Sequence, residues 1–181
     1  MRIIGGKYRS RVLAEFNGKD VRPTADRTKE ALFNILSTKL YGARVLDLFT
    51  GSGNLGLESL SRGAKEVVFN DASRESLAIV KKNLAALKIP VGGEEAKVCN
   101  YDYAVCLNAV QGGFDIIFLD PPYAMDIAKN AWESIIKRGL LNDDGIIVYE
   151  RDVPFNGEVD GLEQYDERRY GKAYLTFFRK V

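Results

Sequence analysis

The chain of 181 residues contains no histidine, which removes a Ser-His-Asp triad, a Cys-His pair and every histidine-ligated metal from its chemistry. Proton transfer must then use carboxylates, tyrosine, lysine, backbone groups or a bound cofactor. Cysteine is nearly as scarce. Cys99 and Cys106 are too few for a disulfide framework and lack the spacing of a zinc site, so they read as packed apolar side chains and no metal is expected. No apolar run approaches the roughly 20 residues of a membrane helix. The opening Met1-Arg2-Ile3-Ile4-Gly5-Gly6-Lys7 has neither the apolar stretch nor the cleavage site of a leader, which predicts a cytoplasmic protein without a membrane partner. An excess of one charge is missing too: 26 Lys and Arg stand against 25 Asp and Glu, so a globally basic nucleic-acid binder is not indicated.

What is present is the composition of a globule, 46% hydrophobic and 28% charged, at a length that suits one domain over residues 1–181. Short β-type runs alternate with segments of helical period, the signature of an α/β fold with a parallel sheet flanked by helices. The runs are 44–49, 66–71, 96–100, 114–120 and 145–150, most of them nearly continuous in Val, Ile, Leu and Phe. Such runs fit strands buried on both faces. Leu77, Val80, Leu84 and Leu87 form one helical stripe, 55–62 and 127–138 make helices stopped by Gly63 and Gly139, and Ala31, Leu32, Ile35 and Leu36 make an earlier helical face. Residues 162–170 and 172–180 read as two strands joined around Gly171, an antiparallel hairpin at the sheet edge. The first 20 residues read as an extension of hairpin type.

Gly51-Ser52-Gly53-Asn54-Leu55-Gly56 matches G-x-G-x-x-G after a strand and at the start of a helix, with Asp71 ending the next strand. Glycines let a ligand approach the backbone closely, and Asp71 can accept hydrogen bonds from ribose hydroxyls. The loop alone does not separate NAD from S-adenosylmethionine. Asp47 tilts the choice: a carboxylate just before the turn opposes a pyrophosphate but suits the cationic amino group of the methionine part.

The buried run 114–119 ends in Asp120-Pro121-Pro122-Tyr123, at the same sheet edge as the glycine loop. Two prolines stiffen the backbone and remove two amide donors, so the Asp120 carboxylate and the Pro121 carbonyl project as fixed acceptors. Two such acceptors suit a planar amino group. Drawing its protons toward them helps the nitrogen of a nucleobase present its lone pair to an electrophilic methyl. Asp120 can take the released proton and Tyr123 can stack on the base. The segment reads an amino group, and does not by itself choose guanine over adenine.

Other candidates are less specific. Asn100-Tyr101-Asp102 follows the third strand, where a side chain could meet an adenine edge or simply form a polar turn. Arg22, Thr24, Asp26 and Arg27 crowd polar groups before a helix, where Thr24 or Asp26 serves equally well as an N-cap. Arg2, Lys7, Arg9 and Arg11, with no acid among residues 1–12, could clamp RNA phosphates or form a solvated face. Arg168, Arg169, Lys172, Arg179 and Lys180 cluster near the other end. Glu150 ends the fifth run at the same edge and carries no assigned role.

Taken together, these segments resemble the bacterial 16S ribosomal RNA guanine-N2 methyltransferases. The similarity runs nearly end to end: residues 1–9, the block Arg22-Pro-Thr-Ala-Asp-Arg-Thr-Lys-Glu-Ala-Leu-Phe-Asn34, residues 46–56, 60–64 and 120–123. The resemblance implies a Rossmann-like class I methyltransferase fold whose seven-stranded, mostly parallel sheet ends in an antiparallel strand. It implies methyl transfer from S-adenosylmethionine to guanine 966 of the small-subunit RNA, within an assembled or assembling 30S particle, by a monomer. By the same resemblance Arg22 and Thr24 help enclose the cofactor, Asp47, Gly51 and Gly53 surround its methionine part, Asp71 holds the ribose and Asp102 lies near the adenine. Asp120, Pro121 and Tyr123 address the extruded guanine. Three other readings stay open: a DNA adenine-N6 methyltransferase, an NAD-dependent enzyme, and a non-catalytic RNA-binding or assembly factor.

Overall fold

The structure is a computed structural model that describes residues 1–16, 23–121 and 125–181, with the backbone alone for 23–25, 125 and 126. Arg22, Pro122, Tyr123 and Ala124 lie outside the described residues, as does the side chain of Thr24. The elements run α1 (Pro23–Ile35), β1 (Arg44–Asp47), α2 (Asn54–Ser61), β2 (Glu66–Asn70), α3 (Arg74–Ala86) and β3 (Ala96–Cys99). They continue with α4 (Tyr103–Ala109), β4 (Phe114–Leu119), α5 (Met125–Lys137), β5 (Leu141–Arg151), β6 (Leu162–Tyr170) and β7 (Ala173–Lys180). The seven strands form one sheet in the order β3-β2-β1-β4-β5-β7-β6. β1 to β5 are parallel, and β7 runs antiparallel to both β5 and β6, as a C-terminal hairpin requires.

Alternation along the strands sorts their side chains into two apolar layers. Val45, Val67, Phe69, Ile116, Phe118, Val148, Leu175 and Phe177 face one layer, packed by Leu32 and Phe33 of α1, Leu36 just after it, Leu57 and Leu60 of α2, and Val80 and Leu84 of α3. Leu46, Val68, Ile117, Leu119, Ile147, Tyr149 and Phe178 face the other, packed by Cys106 and Leu107 of α4 and Trp132 and Ile135 of α5. Both cysteines are free, and burial raises the Cys106 thiol to about 12, so it stays an inert apolar group. No helix among the described residues is long and apolar enough to cross a membrane.

The N-terminal segment joins the first layer. Residues 1–13 fold back on themselves through Ile3 N to Arg11 O, Ser10 N to Ile3 O and Leu13 N to Met1 O, and bury Met1, Ile3 and Leu13. Glu58 of α2, itself fully buried, anchors them by accepting the amides of Ile4 at 2.9 Å and Gly5 at 2.8 Å. It also pairs with Lys29 at 3.2 Å and Arg62 at 2.8 Å, so its charge is met by two cations and two amides. At Gly6, with φ of +77°, a Cβ would lie 1.8 Å from the Ser61 carbonyl oxygen. Only glycine fits where the hairpin rests on the end of α2.

Most expected bounds lie within two residues of the observed ones, and two differences are larger. β5 starts at Leu141, four residues before the apolar run at Gly145, because Leu141 pairs with Phe114 ahead of a bulge. α4 is a seven-residue helix directly after Asp102, too short to show a period.

Candidate active site

The sheet order places β1 and β4 side by side although α2, β2, α3, β3 and α4 separate them in sequence. This is where the chain reverses direction across the sheet, and the crevice beyond the carboxyl ends of such strands is the usual ligand site of an α/β fold. Asp47 ends β1, pairs in register with Phe118, and lies on the same face as Asp120 two residues further along. Asp47, Thr50, Gly51, Asn54, Asp120 and Glu150 line a common cavity of about 610 Å³.

Asp47 is buried in this cavity wall. Its Oδ2 accepts the Thr50 hydroxyl at 2.7 Å and the Gly56 amide at 2.9 Å. Burial nonetheless raises its carboxyl to about 6, the two donors lowering it only in part and Asp120 and Asp71 pushing it further up. A cation in the cavity would restore its charged form. Gly51 and Gly53 hold φ of +54° and +85°, and a Cβ on Gly51 would meet nothing within 4 Å, so the loop leaves open space over its backbone. Gly56 works differently: a Cβ there would lie 2.3 Å from Cε1 of Phe69, so this glycine sets the close packing of α2 on β2.

Asp71 sits beyond β2 and closes on the loop, its Oδ2 accepting the Gly51 amide at 2.9 Å while Oδ1 accepts that of Ser73 at 2.8 Å. Asp102 caps α4 by accepting the Ala104 amide at 2.9 Å, and Asn100 donates to the carbonyls of Asp71 and Ala72. Neither Asp71 nor Asp102 lines the main cavity; both stand at the ends of β2 and β3, further along the same sheet edge. Pro121 is half-buried beside Asp120. Among the basic residues, Arg2 pairs with Asp26 at 3.0 Å and Lys7 with Glu95 at 3.6 Å, while Arg9 and Arg11 are exposed.

Three groups with no assigned role also line the cavity. Glu150, next to last in β5, lies on the face of Asp120, and both carboxyls are raised, to about 7 and about 6, chiefly by burial. Asp120 is open on the cavity side, yet the protein around it removes enough water to have this effect. Lys29 donates to Asn54 Oδ1 at 2.8 Å and to the Arg2 carbonyl at 2.6 Å, and burial lowers its ammonium from the ordinary lysine value. The sequence carries a sign of it, since Lys29, Leu32, Phe33 and Leu36 share one helical stripe. The turn from Tyr170 to Ala173 also lines the cavity; the sequence shows it as the hairpin turn around Gly171 but carries no sign of this placement.

The Conserved hypothetical protein 95 family matches residues 1–179. The chain belongs to this family. It is 39% identical over 152 residues to the ribosomal RNA small subunit methyltransferase D of Haemophilus influenzae, covering 83% of this chain and 78% of that one. The structure of the Escherichia coli protein yhhF superposes with a TM-score of 0.86 at 31% identity, covering 99% and 97% of the two chains. The Thermus thermophilus 16S rRNA N2 G1207 methyltransferase, a complex with AdoMet and guanosine, shares the fold at a TM-score of 0.68 and 23% identity, over 92% of this chain and 45% of that one.

Proposed function

We propose that this protein is an S-adenosylmethionine-dependent methyltransferase that modifies the exocyclic N2 of a guanine in small-subunit ribosomal RNA. The observation that carries the reading is the placement of Asp47 and Asp120 on one face at the ends of adjacent strands, at the wall of one cavity beside the glycine loop. A buried carboxylate raised to about 6, next to open backbone, suits the α-amino group of the cofactor. The relative from Haemophilus influenzae bears the name of a small-subunit RNA methyltransferase, which supplies the RNA.

In this reading Asp47, Gly51 and Gly53 hold the methionine part, Asp71 the ribose and Asp102 the adenine end, with Arg22 and Thr24 closing over them. The cofactor, when bound, supplies an electrophilic methyl on a sulfonium. The chain's own residues position the acceptor: Asp120 and the Pro121 carbonyl take hydrogen bonds from the amino group, and Tyr123 stacks on the extruded base. Arg2, Lys7, Arg9 and Arg11 meet RNA phosphates. One domain over residues 1–181, acting as a monomer in the cytoplasm on an assembled or assembling 30S particle, completes the proposal.

Labelled cofactor offered with undermethylated 30S particles, naked 16S RNA and duplex DNA tests it. Label recovered as N2-methylguanosine from the particle is the expected result. Label in N6-methyladenine would transfer the reading to the adenine alternative, and no label in any nucleic acid would overturn it.

A further inference from the structure

Glu150 is the group in the cavity whose presence the acceptor reading leaves unexplained. β4 and β5 are parallel neighbours with Leu119 opposite Tyr149, so Asp120 and Glu150 are the next residues past the last pair, on strands roughly 4.8 Å apart. Leu119 and Tyr149 both point into the second apolar layer, which turns Asp120 and Glu150 together onto the opposite face and into the cavity. On its other side β7 offers Glu150 the apolar Leu175 as register partner.

The charged and titratable groups facing this pair are Asp47 from β1, Lys29 from α1, Glu15 from the N-terminal segment, and Tyr170 and Lys172 from the β6–β7 turn. Lys29 is committed to Glu58, Asn54 and the Arg2 carbonyl. Among the described residues no hydrogen bond or ion pair reaches Glu150, and Asp120 is the charge that acts on it. Two neighbouring carboxylates in a partly dry cavity do not both ionise freely, so the charge of either one opposes loss of the other's proton.

We propose that Glu150 is a positioning and relay residue that shares a proton with Asp120 and receives, through it, the proton released by the acceptor nitrogen. The inference rests on the methyltransferase reading above. As nitrogen bonds to the methyl carbon, the carbon–sulfur bond breaks with its electron pair left on sulfur, and the N–H proton passes to the Asp120 carboxylate. Glu150, ionised in the reactive form, then takes that proton from Asp120 and returns it to water at the cavity mouth.

Glu150→Gln removes the second acid while keeping its shape. Two measurements test it: a carboxyl-carbon NMR titration of the free protein, and single-turnover methylation of 30S particles across pH with cofactor saturating. The wild type should show two coupled carboxyl steps that respond to each other, and a rate that rises through the upper one. In the variant one step vanishes, the remaining step and the acid limb of the rate move down by about one pH unit, and the plateau falls about tenfold to a hundredfold. Cofactor affinity by calorimetry should stay within about twofold. Glu150→Asp should restore the upper step and part of the rate, and serves for both measurements if the Gln variant does not fold. A Gln variant with an unchanged acid limb, or an Asp120 step that does not move, overturns the relay. If wild-type protein labels no particle, the substrate reading falls, and the shared proton is still decided by the titration.

Discussion

Asp71, at the end of β2, accepts the backbone amide of Gly51 at 2.9 Å, so the acid after the second strand fixes the loop after the first. This contact uses one lone pair of a carboxylate that has several, and leaves others for a ribose. Asp71→Ala therefore loses two functions at once. Because the site is half-exposed, water replaces the lost acceptor and stability should fall by only about 1 kcal/mol. Affinity for S-adenosylmethionine should fall tenfold or more. Calorimetry and thermal melting on one preparation separate the two; a variant that binds the cofactor as the wild type does removes Asp71 from the site.

The glycine motif makes a separate prediction about packing. A Cβ at position 56 would lie 2.3 Å from the Phe69 ring, inside a wholly buried contact between α2 and β2. Gly56→Ala should cost about 1–3 kcal/mol as α2 is levered away from the sheet, visible as a lower midpoint in urea. Because Gly56 N also bonds Asp47, the same shift should weaken cofactor binding. Unchanged stability would mean that Phe69 has room to turn aside.

Much of this architecture could be read from residue order because strands buried on both faces leave nearly continuous apolar runs, such as Ile116 to Leu119 and Val67 to Phe69. Features that depend on strand register could not. Glu150 looks like any acid at a strand end until β4 and β5 are aligned, and the neighbourhood of Asp120 is what gives it chemistry. Leu141 to Asp144 carry Asn and Asp where a strand is disfavoured, and the strand starts there because Leu141 finds a partner in Phe114. The turn at Tyr170 to Ala173 reaches the cavity through the antiparallel return of β7, a purely tertiary event. The glycine loop and its flanking acids were easier to pick out, since they follow directly on buried strands in sequence.

The buried cluster around Glu58 should behave asymmetrically. Glu58 receives Lys29, Arg62 and two hairpin amides, so Glu58→Ala strands an ammonium at 3% exposure and two amides together. A loss of about 3–5 kcal/mol is expected. Lys29→Met removes one of four partners, keeps the apolar stem, and should cost less. Hydrogen exchange gives the sharper readout: in Glu58→Ala the amides of residues 3–13 should exchange well before those of β1 and β4. Uniform protection across both segments would show that the hairpin is held by its apolar contacts alone.

Asp47 gives a prediction in which the direction of the pH effect decides. Its carboxyl rises from 3.8 to about 6 on folding, mainly through burial. Between those values the folded protein binds more protons than the unfolded chain, so this group favours folding fully below about pH 4 and loses that contribution as pH rises through 6. A shift of this size corresponds to about 3 kcal/mol as an upper figure. Asp47→Asn keeps an acceptor for Thr50 and Gly56 but carries no charge, so without cofactor it should match the wild type near pH 4 and exceed it at pH 7. Asp120 and Glu150 titrate in both proteins and largely cancel from the difference. Adding S-adenosylmethionine should narrow or reverse the gap at pH 7, because its amino group stabilises the charged form that the variant lacks. Denaturant melts at pH 4, 5.5 and 7, with and without cofactor, measure each step, and parallel stability curves across that range would mean that Asp47 is not the buried charge of the site.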